Sequence, residues 1–119
     1  MGPSPRRLLR KQARALGAGG DYDDLEIGPV PQGEQWYVER VVIDDQTTAI
    51  TKRGVAIRSA GALFWLDEQL WTTAALRIGH QVRTYLFSGE SLICRVTGAT
   101  ASDVLYAYAT GHYIEHPEP

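Results

Sequence analysis

The sequence predicts an all-β fold, an antiparallel β-sandwich or jelly-roll-like domain, preceded by an N-terminal arm containing a short amphipathic helix. Three observations predict it. From Gln35 onward apolar residues recur with period two, as in Leu92, Cys94 and Val96 against Ser91, Ile93, Arg95 and Thr97. Turn-forming residues punctuate these runs every ~8–12 positions. No 10–15-residue helical pattern separates one run from the next, which argues against a parallel α/β sheet.

The arm spans residues 1–33 and the β domain residues 34–119. Arg6 to Leu16 is a run of good helix formers, with Ser4 as N-cap, Pro5 at the first helical position and Gly17 as terminator. Leu9, Ala13 and Leu16 fall at i, i+4 and i+7 and share one helical face, while Arg6, Arg10 and Arg14 spread over the rest. About three turns of helix are marginal in water, so the helix is expected to order only on docking against a neighbour. Gly17-Ala18-Gly19-Gly20 reads as a hinge, and Asp21 to Pro31 as an extended acidic stretch.

The β domain opens with Gln35 to Ile43, rich in aromatic and β-branched residues. Asp44-Asp45-Gln46 reads as a turn, and Thr47 to Ser59 as the next strand. Ala60-Gly61 separates it from the short apolar strand Ala62 to Leu66. Asp67 to Ala75 is a loop or a single helical turn. Val82 to Phe87 and Ser91 to Thr97 are strands joined by the turn Ser88-Gly89-Glu90, and Val104 to Tyr113 is the last strand.

The chain has 119 residues, a formal net charge of −2 and one cysteine. The charge gives no general argument for nucleic acid or membrane as partner. A lone Cys94 excludes an intrachain disulfide, and its place in a strand makes it a small buried hydrophobe. No apolar run reaches the ~18 residues of a membrane span, and no secretory leader is evident.

An enzyme needs a constellation, and none is legible. His112 and His116 are four apart on a predicted strand, which separates them by ~13 Å and disfavours a shared metal. The pairs Asp23-Asp24, Asp44-Asp45 and Asp67-Glu68 are read as solvated loop or arm residues. Gly17 to Gly20 lacks the Lys-Ser/Thr of a phosphate loop. No catalytic residue, metal or cofactor is therefore expected.

The aromatics read differently. Trp36, Tyr37, Trp65, Trp71, Tyr106 and Tyr108 are candidates for an interface or a stacking platform. Tyr106 and Tyr108 share one sheet face, and Leu105, Ala107 and Ala109 take the other. One of these faces is inner, so the other is an apolar or aromatic outer face that calls for a partner. In the arm, the basic side chains suit protein docking better than nucleic acid, and the thin leucine face does not suit a membrane.

Two blocks carry a resemblance. Gly33-Glu34-Gln35-Trp36-Tyr37-Val38-Glu39-Arg40-Val41 is one. The other runs from Ser88-Gly89-Glu90-Ser91-Leu92 through Thr97-Gly98-Ala99-Thr100-Ala101-Ser102-Asp103 to Ala109-Thr110-Gly111. Together they resemble the small β-sandwich proteins of tailed-phage virions, particularly in phages of high-GC hosts. The resemblance implies a non-catalytic structural role in a head, head–tail junction, tail or fibre. It further implies assembly with itself or other virion proteins, after synthesis in the host cytoplasm. The alternative reading is a carbohydrate-binding or host-attachment module that uses exposed Trp and Tyr.

Overall fold

The structure, a computed structural model, describes residues 5–45, 52–70 and 77–115. The described residues form eight strands: β1 (Arg7–Leu16), β2 (Tyr22–Ile27), β3 (Glu34–Asp45), β4 (Lys52–Ser59), β5 (Ala62–Leu70), β6 (Arg77–Leu86), β7 (Ser91–Thr97) and β8 (Val104–Glu115). They make two four-stranded antiparallel sheets, ordered β1-β8-β3-β6 (sheet A) and β2-β7-β4-β5 (sheet B). The all-β class read from the sequence holds. Only β4 and β5 are both adjacent in sequence and paired; every other connection crosses between the sheets.

The expected N-terminal helix does not form. Arg7 to Leu16 pairs with β8 along its whole length, from Arg7 opposite Tyr113 to Leu16 opposite Val104. The reason is that a spacing of four satisfies both periods. Leu9 and Ala13 share a face in a strand as they do in a helix. The β8 ladder supplies hydrogen bonds that a three-turn helix would otherwise have had to make alone in water. Leu9 is 1% exposed and packs in the common core, with Ala13 and Ala15 half-buried against it. Leu16, the residue that favoured a helix, faces solvent at 56%.

The rest of segment 1–33 is also part of the sheets. Its acidic stretch is β2, paired with β7, and Leu25, Ile27 and Val30 are core residues. Gly17 is no free hinge. It donates to Asp103 and accepts from Ser102, and a Cβ there would lie 2.5 Å from the Thr100 carbonyl oxygen.

The core lies between the sheets and follows the period-two pattern. Val38, Val41 and Ile43 from β3, Leu92, Cys94 and Val96 from β7, and Leu105, Ala107 and Ala109 from β8 are all fully buried. Trp36 is core as well, 2% exposed, with its indole N–H donating to Glu34 at 3.0 Å.

Local turns match their residue types. Ala60 and Gly61 have φ of 50° and 82°, the paired left-handed conformation of a two-residue hairpin, and they join Ser59 to its partner Ala62. At Ser88-Gly89, Glu90 donates its N–H back to Phe87, and the Glu90 carboxylate accepts from the Phe87 N–H.

Two of the three carboxylate pairs fall elsewhere than expected, while Asp23-Asp24 stays in the stretch read as extended. Asp44 and Asp45 close strand β3 rather than forming a turn, and both are buried. Asp67 and Glu68 belong to β5, and Asp23 and Asp24 to β2. All three pairs thus sit on strands. Trp71, His116 and the Ser4 cap lie outside the described residues.

Candidate functional site

Two surfaces and one interior cluster concentrate the polar chemistry. Cross-strand partners share a sheet face, so the register gives the outer face of sheet A row by row. One row is Leu8, His112, Tyr37 and Tyr85; the next is Arg10, Thr110, Arg40 and Gln81. Beyond these come Gln12, Tyr108, Val42 and Gly79, and then Arg14, Tyr106 and Asp44. The sequence reading that sets Tyr106 and Tyr108 against Leu105, Ala107 and Ala109 matches these positions.

A bulge in the middle of sheet A shapes this face. The register between β3 and both its neighbours shifts between Val38 and Arg40. Glu39 and Arg40, consecutive residues, are both exposed in consequence. Opposite them Arg83 holds a left-handed φ of 43°. Gly111 makes the bulge possible, since a Cβ at that position would lie 2.0 Å from the Tyr37 carbonyl oxygen. Arg40 then lies across the strand onto Gly79, where a side chain would collide with its guanidinium.

Two shallow grooves meet on this face. One, of about 420 Å³, is lined by Arg6, Gln35, Tyr37, Glu39, Tyr85, His112, Tyr113 and Ile114. The second, of about 500 Å³, shares Tyr37 and Glu39 and adds Arg40, Gln81, Arg83 and Thr110. The Tyr37 and Tyr85 rings touch at 4.8 Å between centroids and a 51° tilt, with Tyr85 55% exposed. Further along, Tyr106 and Tyr108 stack at 5.9 Å and 14°. His112 Nδ1 lies 3.4 Å from Glu39. None of the ion pairs among the described residues involves Arg10, Arg14, Arg40 or Arg83.

The outer face of sheet B is closed by its own charges. Arg95 makes a two-pronged bond to Asp24, at 2.8 and 3.0 Å, and its guanidinium lies 3.8 Å from the Tyr22 ring centre and 5.0 Å from that of Trp65. The Asp24 bonds raise the Arg95 guanidinium from its ordinary value. Lys52 meets Glu68 at 3.5 Å and Arg58 meets Glu26 at 3.4 Å. The Trp65 ring packs against Gly54, whose missing side chain makes room for the indole. At the sheet edge, Phe64, Trp65 and Leu66 are 57%, 39% and 37% exposed.

Sequence reasoning missed the interior cluster. At one end of the core, His80 of β6 is buried, with Nδ1 2.6 Å from Asp67 of β5, so the pair bridges the two sheets. Arg53 of β4 is also buried, and burial lowers its guanidinium from the ordinary value while Asp45 and Asp44 oppose the shift. The available signal was register: Asp45 continues the inward positions of Val41 and Ile43. His80 and Arg53 line none of the grooves described on the outer faces. The His80–Asp67 contact ties β6 of one sheet to β5 of the other.

The remaining sequence candidates fall apart spatially. Trp36 and Leu9 are spent in the core, whereas Arg10 and Arg14 face outward with Tyr37, Tyr106 and Tyr108, and Trp65 lies on sheet B. Among the described residues, no group of three or more His, Cys, Asp or Glu is placed to hold a metal ion, and no helix is long and apolar enough to cross a membrane. Burial pushes the Cys94 thiol up to about 12, as suits an unreactive core residue.

No protein-family model and no curated protein matches this chain. Among solved structures, a Bacteroides thetaiotaomicron VPI-5482 protein assigned as an alpha-L-fucosidase is similar over 82% of this chain, at 12% identity and a TM-score of 0.49. This chain covers 21% of that protein's length.

Proposed function

We propose that this chain is a non-catalytic structural component of a tailed-phage particle, made in the host cytoplasm and assembled into the virion. It joins copies of itself or other virion proteins through its sheet surfaces. The observation that carries this reading is the β5 edge. An edge strand offers unpaired backbone groups to another strand, and natural domains that stay apart normally blunt such edges with charge. Here the edge carries Phe64, Trp65 and Leu66 in succession, all exposed, and its two acids, Asp67 and Glu68, are engaged within the domain by His80 and Lys52. Covering them would contribute roughly 2–5 kcal/mol before the costs of association, enough to matter when repeated around a ring.

Two further features support the reading. The order β1-β8-β3-β6 facing β2-β7-β4-β5 is that of the double-sheet jelly roll, an architecture used by viral capsid and lectin domains. That is an analogy of fold, and it accords with the virion resemblance of the Gly33 and Ser88 blocks. The N-terminal segment contributes to docking through Leu8 and Leu16, exposed at 58% and 56%, with Leu9 kept for the core.

The test is the mass of the full chain in solution across concentration, followed by co-assembly with neighbouring gene products. Assembly that weakens in a Phe64→Asp, Leu66→Asp variant of unchanged fold supports the reading. A chain that stays monomeric and enters no assembly overturns it. A host-attachment, carbohydrate-binding role is the second reading, favoured by the Tyr37–Tyr85 groove with Gln35, Glu39 and His112 at hydrogen-bonding positions. Glycan titration monitored by tyrosine fluorescence tests it.

A further inference from the structure

We infer that the outer face of sheet A is a binding surface for single-stranded nucleic acid, with arginines for phosphates and tyrosine pairs for bases. In a helix, Arg10 and Arg14 are scattered around the axis with the other cations. In β1 their even spacing from one another puts both on the outer face, opposite Thr110 and Tyr106. The bulge adds Arg40 and Arg83 beside them, on the neighbouring strands β3 and β6. A chain of net charge −2 thus gathers on one face four arginines that form no ion pair among the described residues.

The contrast with sheet B shows that this is not a general property of the surface. There each outward arginine or lysine on the paired strands meets an acid: Arg95 with Asp24, Lys52 with Glu68 and Arg58 with Glu26. On sheet A the acids of the face are Glu39, which pairs with His112, and Asp44, which is 3% exposed. The positive charge is therefore left for an outside anion.

Aromatic placement selects the class of anion. Tyr37 and Tyr85 bound the arginine row at one end, and Tyr106 and Tyr108 lie beyond it at the other. Along β8, His112 to Tyr106 is a run of six residue steps, about 20 Å, a length that three or four extended nucleotides fill. Alternating cations and rings, Tyr85 exposed and Tyr37, Tyr106 and Tyr108 half-buried with one face of the sheet open, match a flexible polyanion with planar bases. Duplex DNA has its bases stacked inside and offers only phosphates to such a face.

The experiment is fluorescence anisotropy of a labelled single-stranded DNA of about 12 nucleotides, titrated with the full chain. Salt is stepped from about 50 to about 200 mM. The expected result is saturable binding with a logarithmic salt slope near −3, about 0.7 for each of four phosphates. Arg10→Glu with Arg14→Glu should halve that slope roughly and weaken binding at least about tenfold, with the circular dichroism unchanged. Tyr37→Ala with Tyr85→Ala should weaken binding roughly tenfold and leave the slope alone. The wild-type slope needs no variant, so a misfolded variant leaves the test intact. No binding at the lower salt, equal binding by the arginine variant, or capture of a sulfated polysaccharide or duplex in preference to the single strand would each overturn the inference. None of these outcomes depends on the β5 edge or on the oligomeric state.

Discussion

The two outer faces are built on the same plan and finished in opposite ways. Each is the solvent side of a four-stranded antiparallel sheet, and each carries arginines and aromatic rings. On sheet B the guanidinium of Arg95 is held by Asp24 and lies against two rings, so charge and aromatic surface satisfy each other. On sheet A, Arg10, Arg14, Arg40 and Arg83 form no ion pair among the described residues, and the tyrosines pair with one another. The lesson is that composition does not distinguish a closed surface from an open one. What separates them is whether the opposing strand places an acid across from each cation.

The comparison breaks most sharply at the bulge that shapes sheet A. Gly111→Ala would force a methyl against the Tyr37 carbonyl at 2.0 Å, which backbone cannot absorb without moving. A loss of at least about 3 kcal/mol in urea unfolding is expected. A loss below about 1 kcal/mol by that measure would show the bulge to be soft.

The underside of sheet B gives the next effect, through pH. Cys94 rises from 9.0 to about 12 in the folded chain because burial disfavours its thiolate. A group with a raised folded value contributes stability that is complete below its unfolded value and is lost as pH climbs towards the folded one. Stability should therefore fall between about pH 9 and 12 with a Cys94 contribution of up to about 1.4 kcal/mol per pH unit. Cys94→Ala should flatten that part of the profile. Identical alkaline slopes for the two chains would contradict the buried-thiol account.

Charge removal then sharpens the contrast directly. Asp24→Asn strips Arg95 of a two-pronged partner at a site 26% exposed on both sides, and about 1–2 kcal/mol should be lost in thermal or urea unfolding. Arg14→Gln on sheet A removes a cation that no acid among the described residues holds, and stability should stay within about 0.5 kcal/mol. Lys52→Ala sits at the low end as well. Its pair with Glu68 is 40% and 44% exposed and screened by solvent, so about 0.5 kcal/mol or less is expected. If Arg14→Gln costs as much as Asp24→Asn, the two faces are not different in kind.

How much of this could be read from the chain follows from which signals are local. The β7 alternation, the Ala60-Gly61 turn and the two-faced β8 strand were legible, because period two and left-handed turn residues act over a few positions. The first strand was not, since Leu9 and Ala13 fit either period and only the distant β8 decides between them. The candidate site was legible in part. Tyr37, Tyr106, Tyr108, Arg10 and Arg14 stood out as residues, but assigning the arginines to a helix separated them from the tyrosines. Arg40 and Arg83 gave no signal, because a bulge depends on the register of three strands at once.

By itself, the sequence determined that the chain from Gln35 onward is made of strands, where several of them turn, and which side chains of β7 and β8 face inward. Those properties follow from steric preferences and solvent exclusion acting along a short stretch of chain. The tertiary structure alone decided the pairing order, in which only one connection joins neighbours within a sheet. It also decided that Asp67 meets a buried His80, that Arg53 is enclosed within reach of the charge of Asp45, and that, among the described residues, Arg10, Arg14, Arg40 and Arg83 of one face form no ion pair while the cations of the other are paired. Such contacts join residues on different strands, 13 positions apart for Asp67 and His80 and 71 for Asp24 and Arg95, and their energy exists only once the strands have come together.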